Sequence, residues 1–262
     1  MSNILFIAPV FNDYERIIKQ TLSQSGANKV KFIHDCPFKS IAIWAFLTRI
    51  FPFIKQQLII KHNKKIVKVA LKHDIDKVFI IKGEYVSPET LSIIKAKSEV
   101  ELVIYQWDSI KNNPKAISLI EISDRFYTFD PIDAKNYDMF YLPLFYCWDE
   151  VGFRREPSKI RYDFFSLGGF KTNRIPYLKA LRQYCTKHNK TFYFRNYERF
   201  GSYLKNRKKL KIRFADVSFI RVSYKSYYRL LSESSCIVDI PSTAQTGLTM
   251  RTMETLSLGK KL

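Results

Sequence analysis

The last part of the chain contains a polar loop whose residue types suit anion binding. The loop is made of small hydroxyl, amide and glycine residues, namely Ser242, Thr243, Gln245 and Gly247. It lies between the apolar run CIVDI (236–240), typical of a buried strand, and a segment whose apolar spacing predicts a half-buried helix: Leu248, Met253, Leu256 and Leu258. A turn from strand to helix exposes backbone N–H groups at the positive end of the helix dipole, which can hold an anion without a lysine. Phosphate is the expected ligand.

Two aspartates follow apolar runs nearer the N-terminus. Asp13 lies in PVFNDYER, directly after the first predicted strand, and Asp108 lies in YQWDS at the end of another. Either carboxylate can accept a proton from a hydroxyl group as a general base. Equally, Asp13 and Ser109 suit helix N-cap or turn positions. Asp130, which precedes Pro131, is interpreted as an ordinary aspartate between a strand and a turn.

Alternating strand and helix patterns must position these residues. In the first part, strands are predicted over 3–9, 29–34, 76–83, 101–108, 125–130 and 138–144, with helices over 13–26, 40–73 and 87–98. After a charged stretch at 148–160, strands are predicted over 162–170, 190–196 and 236–240, with helices over 174–189 and 225–234. The pattern predicts an α/β fold with two Rossmann-like domains, 1–150 and 158–262, facing a cleft.

Charge is unevenly distributed along the 262 residues. Lys and Arg outnumber Asp and Glu by 44 to 24, and residues 158–262 carry 22 basic and 6 acidic side chains. An anionic ligand is therefore expected in the second domain, although solvated surface lysines explain the excess equally well. A basic nucleic-acid-binding protein is a further alternative. The aromatic residues argue against it, because they lie mostly inside apolar strand and helix runs and no recognition module is present.

The cysteines and histidines show no metal-binding pattern. The four cysteines form no CxxC pair, and the four histidines form no HExxH motif. We therefore expect no metal site and a reducing compartment. The N-terminus MSNILFIAPV lacks a basic region followed by a long apolar one, so it predicts a first strand in place of a secretion signal and a cytoplasmic location.

The C-terminal stretch from 224 to 261, YKSYYRLLSESSCIVDIPSTAQTGLTMRTMETLSLGKK, resembles the nucleotide-sugar site of GT-B glycosyltransferases. In that family a helix, a short strand, a polar loop and a helix carrying a glutamate precede a Gly-Lys turn. YDFFSLGGF (162–170) and the region of Arg174 resemble the first strand and loop of the family's C-terminal domain. The QWDS and FD elements resemble bacterial capsule and lipopolysaccharide sugar transferases.

The resemblance implies roles for particular residues. Glu254 would accept hydrogen bonds from the ribose hydroxyls of the donor, and Arg251 or Arg174 would add positive charge. The donors to the diphosphate would be Gln245, Thr246, Gly247 and Leu248. From spacing alone, however, Glu254 is equally a surface carboxylate, and Gly168 and Gly169 either end a strand or let a ligand approach the backbone.

This sequence departs from the family pattern in two places. Thr246 stands where retaining members carry a glutamate, eight residues before the ribose-binding one, so the stereochemistry stays open. The fold also continues past the Gly-Lys turn into another strand and a closing helix, so the second domain is expected to be incomplete at its C-terminus.

These observations lead to a functional hypothesis. The protein would transfer a sugar from a nucleotide-diphosphate donor to a lipopolysaccharide or capsule acceptor, either lipid-linked or a free oligosaccharide, with no metal and no cofactor beyond the donor substrate. The alternatives are a nucleotide-sugar epimerase of the same architecture, a nucleic-acid-binding protein and an inactive remnant.

An apolar stripe within 40–62 suggests contact with a membrane. Its members recur at spacings of three and four: Ile43, Trp44, Leu47, Phe51, Ile54 and Leu58. Basic residues flank the stripe, namely Lys39, Arg49, Lys55 and Lys61, and Pro52 is expected to kink it. Such a stripe can lie in the headgroup layer on the inner face of the cytoplasmic membrane. Alternatively, it is the buried face of a core helix.

Overall fold

The structure is a computed structural model that describes residues 2–26, 29–38, 41–97, 99–146, 159–170, 172–198, 200–207, 214 and 217–262. The chain divides into two compact units. The first unit comprises Met1–Leu144 together with Ala244–Gly247, and the second comprises Phe145–Thr243 and Leu248–Leu262. Residues 244–247, which the sequence analysis assigned to the second domain, therefore group with the first unit.

The first unit contains one parallel sheet. Its strands are β1 (Asn3–Ala8), β2 (Lys29–His34), β3 (Lys77–Ile81), β4 (Glu101–Gln106), β5 (Arg125–Thr128) and β6 (Phe140–Tyr141). Its helices are α1 (Tyr14–Gln24), α2 (Ile41–Ile50), α3 (Pro52–Lys72), α4 (Pro88–Lys97) and α5 (Pro131–Asn136). The strand order is β2-β1-β3-β4-β5-β6, and every pair is parallel. The central strands are apolar along most of their length, and consecutive residues of β1 are buried, as expected for a parallel sheet covered on both faces. Leu5, Ile80 and Leu102 are fully buried.

The predicted helical region at 40–73 forms two helices that meet at Phe51. The Phe51 N–H donates to the carbonyl of Leu47 at 2.8 Å and completes the last turn of α2. Pro52 lacks an N–H group and occupies the first turn of α3, where none is needed. Pro52 therefore starts a new helix, where the sequence analysis expected a kink.

The predicted apolar stripe does not form one surface. Trp44 is 4% exposed and donates its ring N–H to the hydroxyl of Tyr85 at 3.0 Å, so it faces the core. Leu47, Ile54 and Leu58 are half-buried. The exposed bulky residues described on α2, α3 and their junction share only Ile43 and Phe51 with that stripe: Ile43, Phe46, Ile50, Phe51, Phe53, Ile60 and Leu71. No helix in the described part of the chain is long and apolar enough to cross a membrane.

The second unit contains a smaller parallel sheet. Its strands are β7 (Tyr162–Gly169), β8 (Phe192–Tyr197), β9 (Val217–Ser218) and β10 (Ser234–Ile237), in the order β10-β7-β8-β9. Its helices are α6 (Ile175–Lys187), α7 (Phe200–Asn206), α8 (Tyr224–Ser232) and α9 (Met250–Ser257). Phe165, Leu231 and Ile237 are fully buried at its core.

The predicted strand and helix near the end of the chain are present, but with different bounds and a different buried face. The last predicted strand, 236–240, lies over Ser234–Ile237, so Asp239 follows the strand instead of ending it. Of the four apolar positions predicted for a half-buried final helix, Met253 and Leu258 are half-buried, whereas Leu248 and Leu256 are 52% and 58% exposed. The buried residues of α9 are polar: Thr252, Glu254 and Thr255. The reason is that Asp239 lies beside α9 and takes hydrogen bonds from its first turn.

Some sequence features fall outside the described residues. These include Lys39, Cys147, most of the charged stretch at 148–160 and the end of the basic run at 205–213. The cysteines that the structure describes, Cys36, Cys185 and Cys236, are free thiols.

Candidate functional site

The sheet of the second unit has a topological switch point between β7 and β10. From β7 the chain passes through α6 to β8 on one side, whereas β10 lies on the other side of β7. In open parallel sheets, ligands bind outside the carboxyl ends of the strands at such a point, because the connecting loops diverge there and leave a crevice. The residues that follow β7 and β10 therefore lie where a ligand site is expected.

Arg251, in the first turn of α9, reaches the carboxyl end of β7. Its Nη1 atom lies 3.0 Å from Oδ1 of Asp239, and its Nη2 atom donates to the carbonyl of Leu167. The side chains of Arg251 and Asp239 are only 12% and 5% exposed. Burial lowers the pKa of Arg251, but the neighbouring Tyr227 and Asp239 outweigh it and hold that pKa above its ordinary value. The guanidinium is thus permanently charged and firmly placed.

Arg174 reaches the same point from the start of α6. Its Nε atom donates to the carbonyl of Ile240 at 2.7 Å, and its Nη1 atom donates to the carbonyl of Gly169 at 3.2 Å. Burial and the like charge of Arg251 lower the pKa of Arg174, although Asp239 partly offsets them. An arginine whose pKa is lowered by a second arginine gains from an anion placed between them.

Gly168 explains how two arginines fit at the end of one strand. A Cβ atom at this position would lie 2.6 Å from Nη2 of Arg251 and 3.2 Å from Nη1 of Arg174. At the adjacent Gly169, a Cβ would meet no atom within 4 Å. Gly168 therefore makes room for both guanidinium groups, of which only that of Arg251 pairs with Asp239 among the described contacts. This arrangement can bind a phosphate or diphosphate.

Glu254 is buried next to this cluster. It is 2% exposed and accepts a hydrogen bond from the hydroxyl of Tyr227 at 2.9 Å, so the alternative of a surface carboxylate is wrong. Burial and the charge of Glu254 raise the pKa of Tyr227 well above its ordinary value, so the phenol stays protonated and donates. Thr249 caps α9 by accepting from the N–H of Thr252 at 3.2 Å.

Of the four residues expected to contact the diphosphate, three group with the first unit: Gln245, Thr246 and Gly247. The N–H groups of Thr246 and Gly247 donate to Oδ2 of Asp130 at 2.6 and 3.3 Å, and the Thr246 hydroxyl donates to Oδ1. These N–H and hydroxyl groups are already hydrogen-bonded to the carboxylate of Asp130. A Cβ at Gly247 would lie 2.4 Å from the carbonyl oxygen of Phe129, so this glycine allows two backbone segments to approach closely.

Asp130 is therefore more than the turn aspartate of the sequence analysis. It caps α5 by accepting from the N–H of Ile132 at 3.0 Å, and the same carboxylate holds residues 246 and 247. Burial raises its pKa, but these hydrogen bonds dominate and lower the pKa below the ordinary value. Of the remaining predicted phosphate contacts, Gln245 donates to the carbonyl of Gly247 at 3.4 Å and Leu248 is largely exposed.

The two candidate bases follow β1 and β4 of the first unit. Asp13 is exposed and precedes α1 in a left-handed backbone conformation, with φ of 58°, and its side chain makes no capping hydrogen bond. Asp108 is 31% exposed at its side chain, lies 3.8 Å from Nζ of Lys82 and accepts from Nδ2 of Asn112 at 2.8 Å. Ser109 begins a turn, as one of its two alternatives predicted, because its carbonyl accepts from the N–H groups of Asn112 and Asn113 at 2.9 and 3.0 Å. The edge-to-face contact of Tyr14 with Trp107, at 6.3 Å, places both loops on the same edge of the sheet.

Asp35 is a titratable group that the sequence analysis missed. It follows β2, is 2% exposed and accepts from the N–H groups of Glu84 and Tyr85 at 3.3 and 3.4 Å. Burial raises its pKa to about 7. Because Asp35 directly follows the strand predicted over 29–34, its position could have identified it as a candidate site residue. Among the described residues, no group of three or more His, Cys, Asp or Glu side chains could hold a metal ion.

Comparisons with known proteins agree with this architecture. No protein-family model matches the sequence, and no curated protein sequence matches it. Among solved structures, the lipopolysaccharide outer core galactosyltransferase WaaB in its apo form is similar, at 14% identity and a TM-score of 0.50, over 98% of this chain and 79% of that one. The UDP-GlcNAc 2-epimerase of Methanocaldococcus jannaschii is similar at 13% identity and a TM-score of 0.56, over 90% and 77% of the two chains.

The epimerase has also been solved in complex with UDP-GlcNAc and UDP, and that structure aligns at 14% identity and a TM-score of 0.50. At such identities the similarity shows the fold. The predicted α/β fold of the GT-B type, with two units built on parallel sheets, is confirmed.

Proposed function

We propose that the protein is a glycosyltransferase that moves a sugar from a nucleoside-diphosphate donor to a surface glycan of the lipopolysaccharide or capsule type. The observation that carries the proposal is the pair Arg174 and Arg251, which meet at Gly168 on the switch point of the second unit. Two neighbouring guanidinium groups with one carboxylate, Asp239, paired to Arg251 leave a net positive charge that suits a diphosphate. The similarity of the fold to WaaB supports the choice of sugar transfer.

The arginines also have a proposed role in the chemistry. When the bond between the sugar and the diphosphate breaks, negative charge develops on the leaving phosphate oxygen. Preorganised donors at that position lower the barrier, as a divalent metal does in other enzymes, so we propose that this protein needs no metal.

The donor-binding proposal is tested with a matched pair of glycine variants. Thermal shift with UDP, ADP, GDP and TDP in the presence of EDTA should identify one nucleotide that stabilises the protein by roughly 2.7 kcal/mol at 100 times its dissociation constant. Gly168→Ala should weaken that binding about tenfold or more, because its Cβ displaces the flexible end of Arg251. Gly169→Ala, with open space around its Cβ, should bind normally. Equal affinities for the two variants, or strict dependence on added magnesium or manganese, would contradict the proposal.

We assign the acceptor to the first unit and its general base to Asp108 or Asp13. The corresponding Asn variant should lower kcat by about 10²–10⁴ while leaving nucleotide affinity unchanged, because the amide cannot accept the proton. The measurement is a turnover assay beside a nucleotide-binding assay on the same samples. Full turnover in both Asp108→Asn and Asp13→Asn would place the base elsewhere.

Epimerisation of a nucleotide sugar is the second candidate, because the M. jannaschii epimerase aligns with a TM-score of 0.56. An epimerase converts its substrate without any acceptor. Incubation with UDP-GlcNAc alone, followed by chromatography of the nucleotide sugar, separates the two reactions. A new epimer in the absence of acceptor would favour epimerisation.

The proposed location follows from the proposed substrates. We place the protein in the cytoplasm, with a lipid-linked or oligosaccharide acceptor and peripheral attachment at the inner face of the cytoplasmic membrane. The exposed apolar residues of α2 and α3 support this attachment.

A further inference from the structure

The sheet of the first unit has its own topological switch point, between β1 and β3. The chain passes from β1 through α1 to β2 on one side, whereas β3 lies on the other side of β1. Loops that leave such a pair of parallel strands diverge, so a ligand can bind at the carboxyl ends of the strands. We call the residues that follow β1, β3 and the neighbouring β4 the switch-point loops: 9–13, 82–86 and 106–109.

Lys82 lies in a turn of unusual backbone geometry. Its φ is 68°, a left-handed value that a residue with a Cβ rarely adopts, and the N–H of Gly83 donates to the carbonyl of Ile81 at 2.9 Å. The side-chain amides of Gln106 and Asn113 donate to the Lys82 carbonyl at 2.5 and 3.1 Å and hold the turn in place. A strained turn that its surroundings fix in this way is common at ligand sites.

The side chain of Lys82 lies between two carboxylates. Its Nζ atom is 2.9 Å from Oε2 of Glu84 and 3.8 Å from Oδ2 of Asp108, and all three side chains are half-buried. Burial raises the pKa of Glu84, but the hydrogen bond and the charge of Lys82 outweigh it and hold that pKa below its ordinary value. A carboxylate has about four lone-pair positions, so each can accept from a ligand hydroxyl as well as from Lys82.

An aromatic row runs beside these charged groups. The ring of Phe11 lies 6.0 Å from that of Tyr14, and the ring of Tyr14 lies 6.3 Å from that of Trp107. Phe11 is 43% exposed, and Trp107 directly precedes Asp108, so the row and the carboxylates belong to the same loops. A sugar has an apolar ring face and a rim of hydroxyl groups. Aromatic side chains next to a few fixed polar groups suit both.

Ser109 supplies a second, independent sign of a ligand. The residue is 1% exposed, and its Oγ atom has no hydrogen-bond partner within the described part of the chain. The N–H of Ser109 donates to Oδ1 of Asp108 at 3.1 Å, so the residue lies against that carboxylate. Because buried polar atoms are normally paired, a ligand hydroxyl at Asp108 would supply the partner that the Ser109 hydroxyl lacks.

The charge of the switch-point loops disfavours phosphate. They contain three acidic residues and one basic residue, namely Asp13, Glu84, Asp108 and Lys82. The exposed Lys115 also acts on Glu84, and even with it the cations do not outnumber the carboxylates. The second unit has the opposite balance, with two arginines and one carboxylate at its switch point. A phosphate at the switch-point loops would meet carboxylates and a lysine that is already paired.

We propose that the switch-point loops bind an unphosphorylated sugar of the acceptor, which packs on Phe11 and donates hydroxyl hydrogen bonds to Glu84 and Asp108. The proposal rests on the assignment of the acceptor to the first unit under the proposed function, and it deepens that assignment by naming the acceptor chemistry. It requires no nucleotide.

The experiment is a titration of the ¹⁵N-labelled protein with free sugars in the absence of nucleotide, followed by amide chemical shifts. Glucose, galactose and N-acetylglucosamine are each titrated beside their 6-phosphates. At least one neutral sugar should bind with a Kd of about 1–10 mM, and its 6-phosphate should bind at least about tenfold more weakly. Equal affinities for the sugar and its 6-phosphate would overturn the proposal, as would no binding of any neutral sugar at about 100 mM.

The aromatic contact is tested with a matched pair of variants. Phe11→Ser should weaken binding of the neutral sugar about tenfold, because it removes the ring on which the sugar packs. Phe140→Ser removes a ring that is 60% exposed elsewhere in the same unit, and its affinity should stay within about twofold of the unaltered protein. Equal affinities for these two variants would contradict the proposal.

The charge selectivity is tested at Glu84. Glu84→Gln keeps an oxygen that accepts from a hydroxyl but removes the charge, so the sugar and its 6-phosphate should bind within about threefold of each other. Glu121→Gln, at an exposed position of the same unit, should retain the full difference. A folded Glu84→Gln variant that still discriminates against the 6-phosphate would overturn the proposed role of Glu84.

This titration and the nucleotide-binding assay fail independently. If a nucleotide binds at the arginine pair and no neutral sugar binds, the inference about the switch-point loops is wrong and the donor proposal stands. If a neutral sugar binds at these loops and no nucleotide stabilises the protein, the donor proposal is wrong.

Discussion

Replacing Arg251 with alanine is expected to remove nucleotide binding and to destabilise the second unit. In this variant Asp239, whose side chain is 5% exposed, keeps only the hydroxyl groups of Thr249 and Thr252 as partners among the described contacts. Breaking a buried ion pair in this way costs about 3–5 kcal/mol. Loss of one charged hydrogen-bond donor to a phosphate weakens binding by about 10-fold to 150-fold. Urea denaturation and thermal shift with the identified nucleotide measure the two effects.

Arg174→Ala separates binding from stability. Arg174 donates only to backbone carbonyls among its described contacts, so its removal should weaken nucleotide binding with a smaller loss of stability than Arg251→Ala. Arg251→Lys should bind the nucleotide poorly although it keeps the positive charge. The ammonium group of lysine cannot donate to two partners in the fixed planar geometry of a guanidinium. Arg229→Ala is the charge control, since Arg229 is 59% exposed on α8. If Arg174→Ala binds the nucleotide as well as Arg229→Ala does, the phosphate site is not at Gly168.

Glu254→Ala is expected to weaken donor binding by about 10-fold to 150-fold, if the carboxylate accepts the ribose hydroxyls as the family resemblance implies. It should also lower the free energy of unfolding by about 1–3 kcal/mol, because the buried hydroxyl of Tyr227 loses its acceptor. Isothermal titration with the nucleotide and urea denaturation of the same preparation measure both quantities.

Tyr227→Phe is the matched control for Glu254. It removes the same hydrogen bond but retains the carboxylate, so nucleotide affinity should stay within about threefold while stability falls. Equal loss of affinity in Glu254→Ala and Tyr227→Phe would show that Glu254 acts by positioning α9. Unchanged affinity in a folded Glu254→Ala variant would remove Glu254 from the site.

Local sequence patterns predicted most of the strands and helices, although α5, α7 and β9 were not predicted and α2 and α3 were taken as one helical region. DKVFIIKG predicts a buried strand, and β3 occupies Lys77–Ile81. SPETLSIIKAKS predicts a helix with Ser87 at its N-cap, and the N–H of Thr90 donates to the Ser87 hydroxyl at 3.3 Å. Such features depend on periodicity and on capping chemistry within a few residues, so they can be read without knowing the rest of the fold. The parallel sheets followed from the alternation of these elements.

The contacts of the candidate site required the tertiary structure. Thr246 and Asp130 are 116 residues apart in sequence, yet the carboxylate takes the N–H groups that the resemblance assigned to a diphosphate. Glu254 looked like a surface residue from its spacing and is buried, because α9 turns its polar face toward Asp239 and Tyr227. Gly168 lies at the end of β7, as one alternative predicted, but only the structure shows that its missing side chain leaves room for Arg174 and Arg251. Strand order decides which loops become neighbours, and long polar side chains then form hydrogen bonds between those loops. The burial of a polar residue and its hydrogen-bond partner therefore cannot be inferred from the local sequence pattern alone.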